Sequence, residues 1–146
     1  EAKQIIDAYF AQYNTIKSYM DEAVKNAREN GFVETIMQRR RYLPDINSAN
    51  AVMRGFAERN AVNAPIQGSA ADIVKLAMVA VDKAMTAAKV QSKMILQVHD
   101  ELVFDVHVSE ITLMKDLVTE AMENAVKLVV PMEVAIQTAA NWLDAH

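Results

Sequence analysis

Apolar positions recur at three-and-four spacing from residue 3 to residue 30: Ile5, Ile6, Tyr9, Phe10 and Tyr13, then Ile16, Tyr19, Met20, Ala23 and Val24. That period predicts an amphipathic helix, which can divide in two at Asn14-Thr15. Asn30-Gly31 is its stop, because glycine enters the left-handed conformation at little cost. Phe32 to Leu43 changes rhythm. It alternates, turns, and ends at Pro44, which predicts a hairpin. An alanine-rich, apolar stretch capped by Ser48 or Asn50 then predicts a helix to Ala64. Pro65 is expected to kink or break it between Asn63 and Gln67, since proline removes a helical hydrogen bond and clashes with the preceding turn. Ser69-Ala70-Ala71-Asp72 has the form of a capping box opening a further helix through Ile73, Leu76, Val79 and Met85.

Two apolar runs within residues 94–106 flank the cluster His99-Asp100-Glu101, predicting a second hairpin with its charges at the tip. A two-residue hairpin loop normally contains Asn-Gly, Asp-Gly or another glycine pair, because a central residue needs positive φ. His99-Asp100 has neither glycine nor asparagine, and such a local conflict points to a site more than to a fold requirement. Ser109 can cap a helix from about 110 to 128 with Ile111, Met114, Leu117, Val118, Ala121, Met122 and Ala125 as its stripe. Residues 132–136 alternate again behind Pro131 and read as a final strand. The pattern as a whole predicts an α+β fold: helices plus a small antiparallel sheet built from hairpins.

Composition narrows the class. The chain has 146 residues, 52% of them hydrophobic, which suits one ordinary domain with a real core. No unbroken run approaches the roughly 18 to 20 apolar residues of a membrane span, and Glu-Ala-Lys-Gln is no signal peptide, so a soluble cytoplasmic protein without membrane partners is expected. With no cysteine, any metal must be held by oxygen or imidazole. The net charge of −4 hides an uneven distribution: residues 37–60 hold five arginines against Asp45 and Glu58, so this window is +3 and the remainder −4 − 3 = −7. Such a zone is compatible with a phosphate-binding face. Within it Arg39, Arg40 and Arg41 read either as a solvated charge run or as phosphate contacts. Arg59, Asn63 and Gln67 stand at i, i+4 and i+8, one polar stripe if helix continues. Their two readings are amides and a cation satisfied within the protein, or hydrogen bonding to a nucleic-acid strand.

The string Leu96-Gln97-Val98-His99-Asp100-Glu101-Leu102-Val103-Phe104 closely resembles the third polymerase motif of the family-A DNA polymerases, the bacterial DNA polymerase I type. Three more stretches resemble the same family. Val33-Glu34-Thr35 leads through a turn to Tyr42-Leu43-Pro44-Asp45, with Gln38 where the family commonly has glycine. Asn63 to Asp72 resembles the segment before the third motif. Asn141 to His146 resembles the family's C-terminal end, with Gln137 and Ala139 upstream of it where relatives usually have glycines. The resemblance thus covers essentially the whole chain, read as one fragment, part of a polymerase palm with trailing fingers helices, with helices and a basic hairpin in 1–47 and a palm portion with the catalytic hairpin in 48–146.

The resemblance implies a DNA-directed DNA polymerase acting in replication and repair in a bacterial, nucleoid-associated setting. It implies Asp100 as the essential carboxylate and Mg²⁺ ligand, Glu101 as its auxiliary, and Arg59, Asn63, Gln67 and His99 as contacts to primer-template DNA. The partners implied are that DNA, deoxynucleoside triphosphates and an N-terminal part of the same polypeptide. Phosphoryl transfer uses two hard cations about 3.5–4 Å apart, which one aspartate cannot hold well. The Asp-Tyr-Ser motif and the Arg-x-x-x-Lys-x-x-x-Phe-Gly pattern of the family do not occur in these residues. The expectation is therefore a C-terminal fragment, inactive alone and prone to self-association. The alternative is a non-catalytic nucleic-acid-binding or interaction module.

Overall fold

The computed structural model describes residues 2–145. The elements in chain order are α1 (Ala2–Gln12), α2 (Asn14–Asn30), β1 (Phe32–Glu34), β2 (Arg40–Tyr42), α3 (Ala51–Ala88), β3 (Lys93–Val98), β4 (Glu101–Asp105) and α4 (Ile111–Glu123), with single 3-10 turns at Val108–Glu110 and Leu143–Ala145. The chain falls into two compact units, Glu1–Ser69 and Ala70–His146.

The first unit contains α1, α2, the β1–β2 hairpin and the first half of α3. The early helix divides at Tyr13, one residue before the expected point, and ends at Gly31, whose φ of 77° and N–H to the Ala27 carbonyl close the last turn. Beneath the hairpin lie Ala27, Val33, Leu43, Ile46, Ala57, Ala61 and Ala64, all buried. Three of the seven are alanines of α3, and their small side chains let the other elements approach the helix backbone closely. The Tyr19 hydroxyl adds a hydrogen bond to the Val62 carbonyl, 3.0 Å away, and partial burial holds that phenol above its ordinary pKa.

Asn50 is the residue that caps α3: its Oδ1 accepts from the N–H groups of Val52 and Met53 at 2.9 and 3.4 Å. Two expectations for this helix are corrected. Pro65 does not break it, since helix runs unbroken through Ala88. Ser69 does not open a new helix either; it lies mid-helix, with its hydroxyl donating to the Pro65 carbonyl at 2.5 Å. Tertiary packing on both sides of the proline outweighs its local cost, as the burial of Ala61, Ala64 and Ser69 shows. The 38-residue α3 is also long and apolar enough to cross a bilayer by length and composition alone, although no unbroken apolar run in the sequence is. Its halves instead supply core residues to each unit.

In the second unit, Val81 and Met85 of α3 pack with Met114 and Val118 of α4, and Met94, Phe104, Val106 and Ile136 pack against them. The end of α3 is a Schellman turn: Lys89 has φ of 54°, its N–H reaches the Thr86 carbonyl and that of Val90 reaches Met85. β3 and β4 pair antiparallel, with an irregularity between Met94 and Leu96. Among the described residues the sheet content is thus two separate two-stranded hairpins. Helix α4 starts after a 3-10 turn and stops at Glu123, short of the expected 128, and Ser109 does not cap it. Ser109 instead donates its N–H to His107 Nδ1, the residue that does cap the 3-10 turn.

Residues 132–136 are not a strand. Their alternation is real, since Met132, Val134 and Ile136 are half-buried and Glu133 and Ala135 exposed. A ladder needs a neighbouring strand edge, however, and the Val134 N–H is taken by the Glu123 carboxylate at 3.1 Å.

Candidate nucleic-acid and metal site

Val98 and Glu101 face each other across the end of the second hairpin, so His99 and Asp100 alone form its loop. His99 sits at φ of 53°, while Asp100 is not at positive φ, so the first loop residue takes the positive φ that such a short loop needs. The sequence conflict is therefore a conformational one: a histidine occupies a position that favours glycine. The Gln97 side-chain amide donates to the His99 carbonyl and braces the turn. Asp100 is in the loop, off strand geometry, whereas Glu101 is the first residue of β4. All three ionisable residues of the tip are exposed.

The fit to a hard cation follows from these donors. Asp100 offers exposed carboxylate oxygens on a braced turn, with a second carboxylate one residue on, which matches the oxygen preference of Mg²⁺. Among the described residues no three His, Asp or Glu groups gather to hold a metal. The tip fits as a partial ligand set, one that needs oxygens from elsewhere.

The other predicted residues lie in the first unit. Because α3 is unbroken from 51 to 88, Arg59, Asn63 and Gln67 do form one stripe, about 12 Å from end to end at the helical rise of 1.5 Å per residue. All three are exposed, while Ala57, Ala61 and Ala64 of the same helix are buried. The Arg59 guanidinium lies 5.9 Å from the centre of the Phe56 ring.

The basic run divides by strand alternation. Glu34 pairs with Arg40, and Val33 with Arg41; directly paired residues share a face. Arg40 therefore turns to the face of Glu34 and Phe32, with Nε 2.8 Å from the Glu34 carboxylate and its guanidinium 4.4 Å from the Phe32 ring centre. The Glu34 hydrogen bond is the main reason its pKa is raised. Arg41 shares the face of buried Val33. With Arg39, Thr35, Gln67 and Gly68 it lines a recess of about 80 Å³. This grouping of Arg41 with Gln67 is the association that the linear sequence missed. The signal was present in the hairpin register, which sets positions 33 and 41 opposite each other.

A third polar cluster was not anticipated. The Glu110 carboxylate accepts from the Ser92 hydroxyl at 2.6 Å, and from the backbone N–H groups of Gln91 and Ser92 at 2.9–3.1 Å. The Ser92 hydrogen bond first, then those of the backbone, hold its pKa below the ordinary value. It anchors the start of β3 to the segment after β4.

Comparison with known proteins identifies the family. The sequence profile of DNA polymerase family A matches residues 1–144. The chain is 55% identical over 145 residues to DNA polymerase I of Streptococcus pneumoniae, 51% to that of Lactococcus lactis and 47% to that of Geobacillus stearothermophilus, covering 99% of this chain each time. It spans only 16–17% of the length of those relatives. Among solved structures, the POL domain of Pol1 from M. smegmatis in complex with DNA primer-template and dNTP superposes with a TM-score of 0.90 at 47% identity, over 92% of this chain and 24% of that one. The chain belongs to DNA polymerase family A.

Proposed function

We propose that these residues are the C-terminal palm and fingers portion of a DNA-directed DNA polymerase that extends a primer 3′ end in bacterial replication and repair, in the cytoplasm at the nucleoid. The observation that carries the reading is the β3–β4 tip, where a two-residue turn without glycine presents Asp100 clear of strand geometry. Asp100 would hold Mg²⁺, and Glu101 would tune its surroundings. Bound there with ligands from the rest of the polypeptide, Mg²⁺ supplies charge stabilisation for nucleotidyl transfer.

The chain's own residues do the positioning. Arg59 places charge against a phosphate of the primer-template duplex. Asn63 and Gln67 donate to minor-groove acceptors that every base pair offers, a degenerate readout suited to an enzyme that copies any sequence. His99, one residue from Asp100, contacts the primer-terminal sugar or phosphate. The groups that grip the deoxynucleoside triphosphate and the second carboxylate belong to parts of the polypeptide outside these residues, so the isolated chain does not synthesise.

Primer extension tests both halves of this reading. The isolated chain is expected to give no template-dependent product, while the full-length polymerase carrying it extends the primer. Synthesis by the isolated chain refutes the fragment reading. A full-length protein that binds primer-template yet never extends it refutes the enzyme in favour of a binding module.

A further inference from the structure

Pro65 lies between Asn63 and Gln67, and it has no N–H to give the Ala61 carbonyl. The direction α3 takes at this residue decides how far Gln67 is rotated and displaced from Asn63. Prolines are where helices bend, so a stripe that crosses one needs an outside support. The β1–β2 turn supplies it at the next helical turn.

Three observations converge there. Ser69 is buried, and its hydroxyl both donates to the Pro65 carbonyl at 2.5 Å and accepts the Ile36 N–H at 2.9 Å. Arg39 Nη2 donates to the Gly68 carbonyl at 3.1 Å. Gly68 itself lies against the turn: a Cβ there would come within 2.6 Å of Thr35 Cγ2 and 3.4 Å of Arg39 Nη2. Thr35 has little freedom to retreat, because its Oγ1 accepts the N–H groups of Met37 and Arg39 at 3.3 and 3.2 Å. The turn is itself held in an unusual shape, with Gln38 at φ of 62°.

We propose that the β1–β2 turn is a positioning clamp for the nucleic-acid stripe: Ser69, hydrogen-bonded to Ile36 and Pro65, and Gly68, seated on Thr35, fix the course of α3 past Pro65 and thereby aim Gln67. Neither residue touches DNA; both act through Gln67. The clamp rests on the reading of Gln67 as a duplex contact, and the experiment separates the two claims.

The test is a set of variants in the full-length polymerase, read as kcat/KM for primer extension. Gly68→Ala and Ser69→Ala are each expected to lower it roughly tenfold or more, as small misplacements of positioning groups do. In a Gln67→Ala background the same changes are expected to cost less than about twofold, because residues that act through one another are not additive. Thr35→Ser keeps the hydroxyl and removes the obstructing methyl, so Gly68→Ala/Thr35→Ser is expected to recover activity, and Ser69→Thr to retain it. Equal losses with and without Gln67 overturn the clamp, as does failure of the Thr35→Ser rescue. Should Gln67→Ala be harmless, the duplex reading falls and the clamp with it. Should Gln67→Ala impair extension while Gly68→Ala and Ser69→Ala do not, only the clamp falls.

Discussion

Replacing His99 by glycine isolates what the hairpin tip costs the fold. His99 holds φ of 53°, and an L-residue in the left-handed region is disfavoured by about 1–2 kcal/mol. Glycine removes that penalty but loses about 0.5–1 kcal/mol more conformational freedom on folding. The net expectation is a gain of about 0.5–1 kcal/mol. The brace from Gln97 survives, because it ends on the His99 carbonyl and not on the ring. Trp142 is the only tryptophan of the chain and belongs to the same unit as the hairpin, so its fluorescence follows the relevant unfolding in urea. With m near 1 kcal/mol/M, the midpoint rises by roughly 0.5–1 M. Lys89→Gly is the control, since Lys89 has φ of 54° at the end of α3 and no place in the proposed site. It is expected to gain as much stability. In the full-length polymerase only His99→Gly then lowers primer extension. A destabilised His99→Gly, with m unchanged, would refute the argument that this turn is conformationally strained.

Further expectations follow from the same geometry. The Glu110 pKa is depressed in the fold, so its contribution is fully present above the ordinary value of 4.5 and is lost as pH falls through the lower folded value; the stability difference between wild type and Glu110→Gln should shrink below pH 4.5, and parallel curves would contradict this. Val81 is fully buried, and Val81→Ala is expected to cost about 2 kcal/mol in urea denaturation, with a cost under about 0.5 kcal/mol counting against its place in the core. Helix α1 buries none of its residues, and Ile5, Val130 and Leu143 are each at least 66% exposed. The isolated chain is therefore expected to self-associate in sedimentation velocity; a monomer at high concentration would contradict that.

What the sequence made legible were features set by neighbouring residues. The missing glycine at His99-Asp100 was legible as a conflict between residue type and turn, and His99 does take a positive φ there; Gln38, where the family commonly has glycine, likewise occupies a positive-φ position, and Asn50 caps as its side chain allows. Features set by distant contacts were not legible. Pro65 promised a kink or a break, and no break occurs: helix continues through it, flanked by buried Ala61, Ala64 and Ser69. Ser69 had the pattern of a cap and serves instead to tie a helix to a turn 33 residues upstream. The alternation at 132–136 correctly marked a two-faced extended segment, yet whether it became a strand depended on a partner edge that periodicity does not encode. The run Arg39-Arg40-Arg41 likewise read as one charge block until hairpin register turned Arg40 away from the other two.

The central claim is that Asp100, presented by the strained tip, is the carboxylate on which synthesis depends. Single-turnover nucleotide incorporation by the full-length polymerase carrying Asp100→Ala, with primer-template affinity measured on the same preparation, tests it most directly. Near-complete loss of incorporation with affinity little changed is the predicted result. Incorporation at the wild-type rate would contradict the account.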